Sequence, residues 1–137
     1  MDPDDPPYCY LTTTGRRTGG LHRIEIWFAL HEEVVYLLSG AGDRSDWVRN
    51  LMASPQVTLE IGDRTRATRA RLVEAGTDED RLARRLLVEK YQPGSKEDLS
   101  GWGRSSLVIA IHQIGGESGT WAAQASSKPI ENIRSRS

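Results

Sequence analysis

Ile24-Glu25-Ile26-Trp27-Phe28-Ala29-Leu30-His31-Glu32-Glu33-Val34-Val35-Tyr36-Leu37-Leu38 is the run on which the fold turns. Ile24, Ile26, Phe28 and Leu30 alternate with Glu25, Trp27 and Ala29, the period of two of a half-buried strand. His31-Glu32-Glu33 then turns the chain into Val34–Leu38, apolar on both faces and so expected at the centre of a sheet. The pair reads as a β-hairpin, although its turn lacks the Asn-Gly signature.

Working outward, Tyr8 to Thr13 is a short strand after a proline-rich start. Val57, Leu59 and Ile61 alternate again, Gly62-Asp63 turns, and a polar strand runs from about Thr65 to Val73. Ser106–Ile111 reads as a last, buried strand. Two helices interrupt this order. Asp43 with Asp46 resembles a capping box for a helix running to Ala53, ahead of Pro55. Thr77 with Asp80 caps a second helix through about Tyr91, with Leu82, Leu86, Ala83 and Leu87 as its apolar pairs. Gln92 to Gly103 reads as loop. Strands in hairpin order with few helices predict an antiparallel barrel or curled sheet, because closure removes exposed edges. Residues 1–114 are expected to form this one domain. Residues 115–137 are Gly/Ser-rich and unpatterned, and are expected to be disordered or ordered only by a partner.

Composition narrows the function. A formal net charge of −1 gives no general attraction to nucleic acid. No apolar run is long enough to span a bilayer and the acidic start is unlike a signal peptide, so a cytoplasmic protein is expected. A single cysteine, Cys9, excludes an intrachain disulfide and a cysteine cluster for metal. His22, His31 and His112 have no metal-ligand spacing, so no metal site is expected.

Two segments carry the chemistry. Leu11-Thr12-Thr13-Thr14-Gly15-Arg16-Arg17-Thr18-Gly19-Gly20 ends a strand in a turn rich in hydroxyls and guanidiniums. Ser39-Gly40-Ala41-Gly42-Asp43-Arg44-Ser45-Asp46-Trp47-Val48-Arg49-Asn50-Leu51 leaves a second strand through glycines and opens a helix. Brought together, they would form a pocket for a phosphate-bearing ligand, since turn amides and helix N-termini favour anions.

Those two segments, with Ile24–Phe28 between them and Pro55 and Val57 after them, resemble the deazaflavin-dependent nitroreductase family over roughly residues 8–112. The resemblance implies a six-stranded split β-barrel with two short helices. It also implies the reduced deazaflavin coenzyme F-420 as cofactor and hydride transfer to a small-molecule acceptor: a quinone, a nitroaromatic or an activated C=C bond. On that reading Arg16, Arg17 and Thr18 take the coenzyme's phosphate and acidic tail, with His22 or Arg23 a further basic group. Ser39, Gly40, Ala41 and Gly42 resemble the loop that approaches the deazaflavin ring, and Trp47 and Asn50 border the coenzyme groove. Trp27 and Glu25 share a strand face and are assigned to the substrate pocket, Glu25 as an inward carboxylate if that face lines the barrel. Tyr36 or Ser39 is the candidate proton source. The serine loop is short and lacks the lysine common in relatives, and Trp27 stands where they carry tyrosine. The same barrel could hold FMN, FAD or heme instead, or act as a coenzyme carrier, and pairing into a homodimer is open. Each charge-assisted contact to the anionic coenzyme is worth about 1.5–3 kcal/mol.

Overall fold

The computed structural model describes residues 6–113. The expected tail from Gly115 lies outside them. Seven antiparallel strands form one sheet. In the first half these are β1 (Cys9–Thr14), β2 (Leu21–Ile26), β3 (Ala29–His31) and β4 (Val34–Ser39). In the second they are β5 (Gln56–Ile61), β6 (Arg64–Leu72) and β7 (Leu107–Gln113). The order across the sheet is β2-β1-β5-β6-β7-β4-β3. Three helices accompany them: α1 (Asp46–Ala53), α2 (Asp78–Tyr91) and α3 (Ser100–Ser105).

The expected single strand over residues 24–30 is two strands, and this is how the sheet curls. β2 and β3 occupy opposite edges, yet only Trp27 and Phe28 join them. In a flat sheet six strand spacings would separate those edges by roughly 29 Å. Three residue steps reach at most about 11 Å. The sheet therefore bends round until its edges nearly meet, giving a curled, split-barrel-like fold. Tyr91 of α2 fixes the crossing: its hydroxyl accepts from the Phe28 N–H at 3.0 Å and lies 2.8 Å from the Pro7 carbonyl oxygen. Periodicity missed the break because the apolar alternation runs straight through it.

Alternate residues face the interior. Cys9, Leu11, Val35, Leu37, Val57, Leu59, Ile61, Ile109 and Ile111 fill it, with Val48 and Leu51 of α1 packed among them. β4 and β7 are apolar on both faces for a structural reason. Their outer residues Tyr36, Leu38, Val108 and Ala110 form a second core beneath Ala83 and Leu87 of α2. Between β3 and β4, Glu32 (φ 49°) and Glu33 (φ 74°) both adopt left-handed backbone, the geometry of a type I′ hairpin turn. The first helix begins at Asp46 rather than Asp43, with Ser45 at its N-cap, because Gly42–Arg44 forms a separate 3-10 turn. Thr77 does cap α2, accepting from the Asp80 N–H at 3.1 Å. The stretch expected as loop contains α3, which packs so closely on α2 that a Cβ on Gly103 would lie 2.5 Å from Val88 Cγ2.

Candidate active site

The turn between β1 and β2 is built around Gly15, whose N–H bonds the Gly20 carbonyl at 2.7 Å. A side chain on Gly15 would sit 2.7 Å from His22 Nε2, so the imidazole of His22 folds over this glycine. Thr18 Oγ1 accepts from the Gly20 N–H and helps shape the turn. Arg16 reaches away from solvent. Its Nη1 donates to Asn50 Oδ1 at 2.8 Å, its backbone N–H donates to the same oxygen at 3.2 Å, and Nη2 pairs with Asp46 at 3.2 Å. Asn50, only 4% exposed, completes the tie by donating to Thr13 Oγ1 at 3.3 Å. A buried amide must be hydrogen-bonded, which explains an asparagine in the middle of a short helix. Arg17 is different: it is exposed and makes no hydrogen bond or ion pair among the described residues.

The second segment is held from inside. Ser39 is buried and donates to the Gly42 carbonyl at 2.8 Å, with Ser45 Oγ 3.1 Å away. One hydroxyl has one proton, so Ser45 is the donor in that pair. The loop leaves the N–H groups of Ala41, Gly42 and Asp43 without partners among the described residues. Trp47 is half-buried and packs on the barrel core. Tyr36 lies on the outer face of β4, where its hydroxyl donates to Glu79 at 2.7 Å. Burial and that hydrogen bond push this hydroxyl well above the usual tyrosine range. Tyr36 and Ser39 therefore point to opposite faces of one strand, and the structure does not bring them together.

Trp27 and Glu25 meet in a pocket of about 250 Å³ lined also by Tyr8, Ile26, Leu38 and Trp102. Glu25 faces outward, not into the barrel, because the interior positions of β2 are Ile24 and Ile26. The Trp27 ring stacks on Tyr91 (centroids 4.2 Å apart, 3° between planes) and meets Trp102 edge-on (5.6 Å, 89°). Sequence reasoning missed Trp102, because nothing in Gln92–Gly103 signalled α3. Its ring lies over Gly40, 3.5 Å from where a Cβ would be. Contacts tie the arginine turn to Asp46 and Asn50, Ser45 to Ser39, and Gly40 through Trp102 to Trp27, and the chain itself joins these three at Ser45–Asp46 and Ser39–Gly40.

The donor set along this row fits an anionic, phosphate-bearing coenzyme. Arg17 offers a guanidinium, and the 41–43 loop offers backbone N–H groups with no side chain in the way at Gly42 (φ 65°). Among the described residues no cluster of three His, Cys, Asp or Glu could hold a metal, and no helix is long and apolar enough to cross a membrane.

Comparison with known proteins agrees with the fold. A family described as F420H2-dependent quinone reductase matches residues 4–111, over three quarters of the chain. No curated protein matches. Among solved structures, an F420-H2 dependent reductase (FDR-A) is similar at 24% identity, with a TM-score of 0.63, over 77% of this chain and 94% of that one. HutZ, the heme storage protein from Vibrio cholerae, is similar at 16% identity and a TM-score of 0.67, over 83% of this chain and 86% of that one. A protein described as a domain-swapped dimer is similar at 22% identity and a TM-score of 0.64, over 82% of each chain. At such identities these structures establish the shared architecture alone.

Proposed function

The chain belongs to the F420H2-dependent quinone reductase family, and from that membership we propose that it passes hydride from the reduced deazaflavin coenzyme to a small planar acceptor held in the pocket that Trp27 and Trp102 line. The observation that supports this reading is the row of contacts and chain-adjacent residues linking the arginine turn, the 39–42 loop and the tryptophan pair. Coenzyme sites need an anion-binding end, a place for the ring and a neighbouring acceptor pocket, and the row supplies all three in order.

Each residue then has a task. Arg17, at the exposed tip of the turn, takes the phosphate or acidic tail of the coenzyme. Arg16, Asn50 and Asp46 hold that turn against α1, so they position rather than touch the ligand. Ser39 and Ser45 fix the loop whose free N–H groups face the coenzyme. The coenzyme, when bound, supplies the hydride. Trp27, immobilised by its stack on Tyr91, and Trp102, perpendicular to it, form a corner of the pocket that orients the acceptor. The hydroxyl protons of Ser39 and Tyr36 are already committed to Gly42 and Glu79. The proton a reduced quinone needs therefore comes from water at the pocket mouth, beside the exposed edge of Trp27.

The test is oxidation of the reduced coenzyme by menadione. Wild type is expected to turn over. Trp102→Ala should raise KM for the acceptor about tenfold, from the lost aromatic contacts, and weaken the coenzyme less, through the loop at Gly40 that Trp102 covers. Absence of turnover with menadione and with every nitroaromatic and activated alkene tried would sink the reading.

A further inference from the structure

We propose that the Trp27–Trp102 pocket selects planar aromatic cations, such as N-alkylated heteroaromatic rings, over neutral and anionic rings of the same size. The proposal rests on the reductase reading for its meaning as substrate choice, but its binding chemistry stands on the pocket alone.

Three observations support it. First, two indole walls stand at 89° to each other, with Tyr8 as a further aromatic side. Ring faces carry negative potential, and a cation packed against them is attracted where an anion is repelled. The walls are also rigid, because Trp27 lies flat on Tyr91, whose hydroxyl is anchored to Phe28 and Pro7. Little freedom is lost when a ligand enters.

Second, Glu25 brings a carboxylate that no direct ion pair neutralises among the described residues. Its partner is the Tyr10 hydroxyl at 3.2 Å. Arg23, whose charge also acts on Glu25, bonds Glu60 instead, through two nitrogens at 2.9 and 3.1 Å, and lies over the Tyr10 ring. Arg23, Glu60 and Glu25 together leave one negative charge at the rim.

Third, none of the six lining residues is cationic. An anionic ligand would find no partner there and would have to shed its hydration against a carboxylate. The volume, about 250 Å³, lies just under the usual range for small-molecule sites and suits a ligand of one or two rings.

The experiment is isothermal titration calorimetry on the coenzyme-free full chain with N-methylquinolinium, quinoline and quinoline-4-carboxylate. The cation should bind about tenfold tighter than quinoline, and the carboxylate weakest of the three. Glu25→Gln, a change at an exposed position, should shrink the cation's advantage at least severalfold, while Trp102→Ala should weaken the cation and quinoline together. Equal or tighter binding of quinoline, an undiminished cation preference in Glu25→Gln, or no binding of the cation would each overturn the proposal. Because no coenzyme is present, none of these results depends on whether the chain uses a deazaflavin.

Discussion

Arg16 and Arg17 are adjacent, identical in type and indistinguishable by motif, yet their surroundings separate them. Arg16 is tied to Asn50 and Asp46, and Arg17 has no partner among the described residues. Arg17→Ala should weaken coenzyme binding about tenfold or more, the loss of one charge-assisted contact, and leave the melting temperature unchanged. Arg16→Ala should lower stability by about 1–3 kcal/mol, because it removes the charged donor to the buried Asn50 amide and leaves that oxygen only the longer bond from the residue 16 backbone N–H, and reduce affinity only through the loosened turn. Thermal unfolding and a coenzyme titration on both variants separate these outcomes. Equal effects of the two on melting temperature would contradict the division. The sequence made the arginine turn, Trp27 and Asn50 legible as candidates, since residue type and motif carry that much. It left open which arginine is engaged, because that depends on Asn50, 34 positions away along the chain. Nor did any motif tell that Tyr36 turns its hydroxyl toward Glu79, which only the face occupied by α2 decides.

At the scale of elements, the strands with clean alternation and the helix capped by Thr77 were readable from pattern. Two features were not. The break at Trp27–Phe28 is hidden because alternation continues across it, and it is imposed by sheet closure and by Tyr91. Helix α3 is hidden because Ser-Gly-Trp-Gly-Arg-Ser is a poor helix former with two glycines. Packing overrides propensity there. Arg84 of α2 holds the end of α3 through the Gly103 and Arg104 carbonyls at 2.9 and 3.0 Å, and Gly103 lets the helices touch. Gly103→Ala should therefore destabilise the protein by about 1–3 kcal/mol through overpacking on Val88. Adding Val88→Ala should make the Gly103→Ala step less costly, and a denaturation cycle of the four proteins measures that coupling. Additive effects would mean the two residues do not meet.

For the whole molecule, acid stability should report the polar network that joins sheet to α2. Arg71 donates to His112 Nε2 at 2.8 Å and holds Glu79 with its other nitrogens. Burial, and then the Arg71 guanidinium, keep the His112 imidazole below its ordinary 6.5. The hydrogen bond from Arg71 likewise leads in holding the Glu79 carboxyl below its ordinary 4.5. Both groups take up protons more readily when unfolded, so each contributes stability that is full above its ordinary value and lost as pH falls. Unfolding midpoints should decline first below about pH 6.5 and again below about pH 4.5. His112→Gln should flatten the first decline while leaving the second. A first decline unchanged in that variant would remove His112 as its source.

The most direct test of the reductase reading is a fluorescence titration of the full chain with the deazaflavin coenzyme, run beside FMN and FAD. Saturable binding of the deazaflavin, weakened in Arg17→Ala and absent or far weaker for FMN and FAD, is the expected result. Tighter binding of FMN or FAD, or no binding of the deazaflavin, would contradict it.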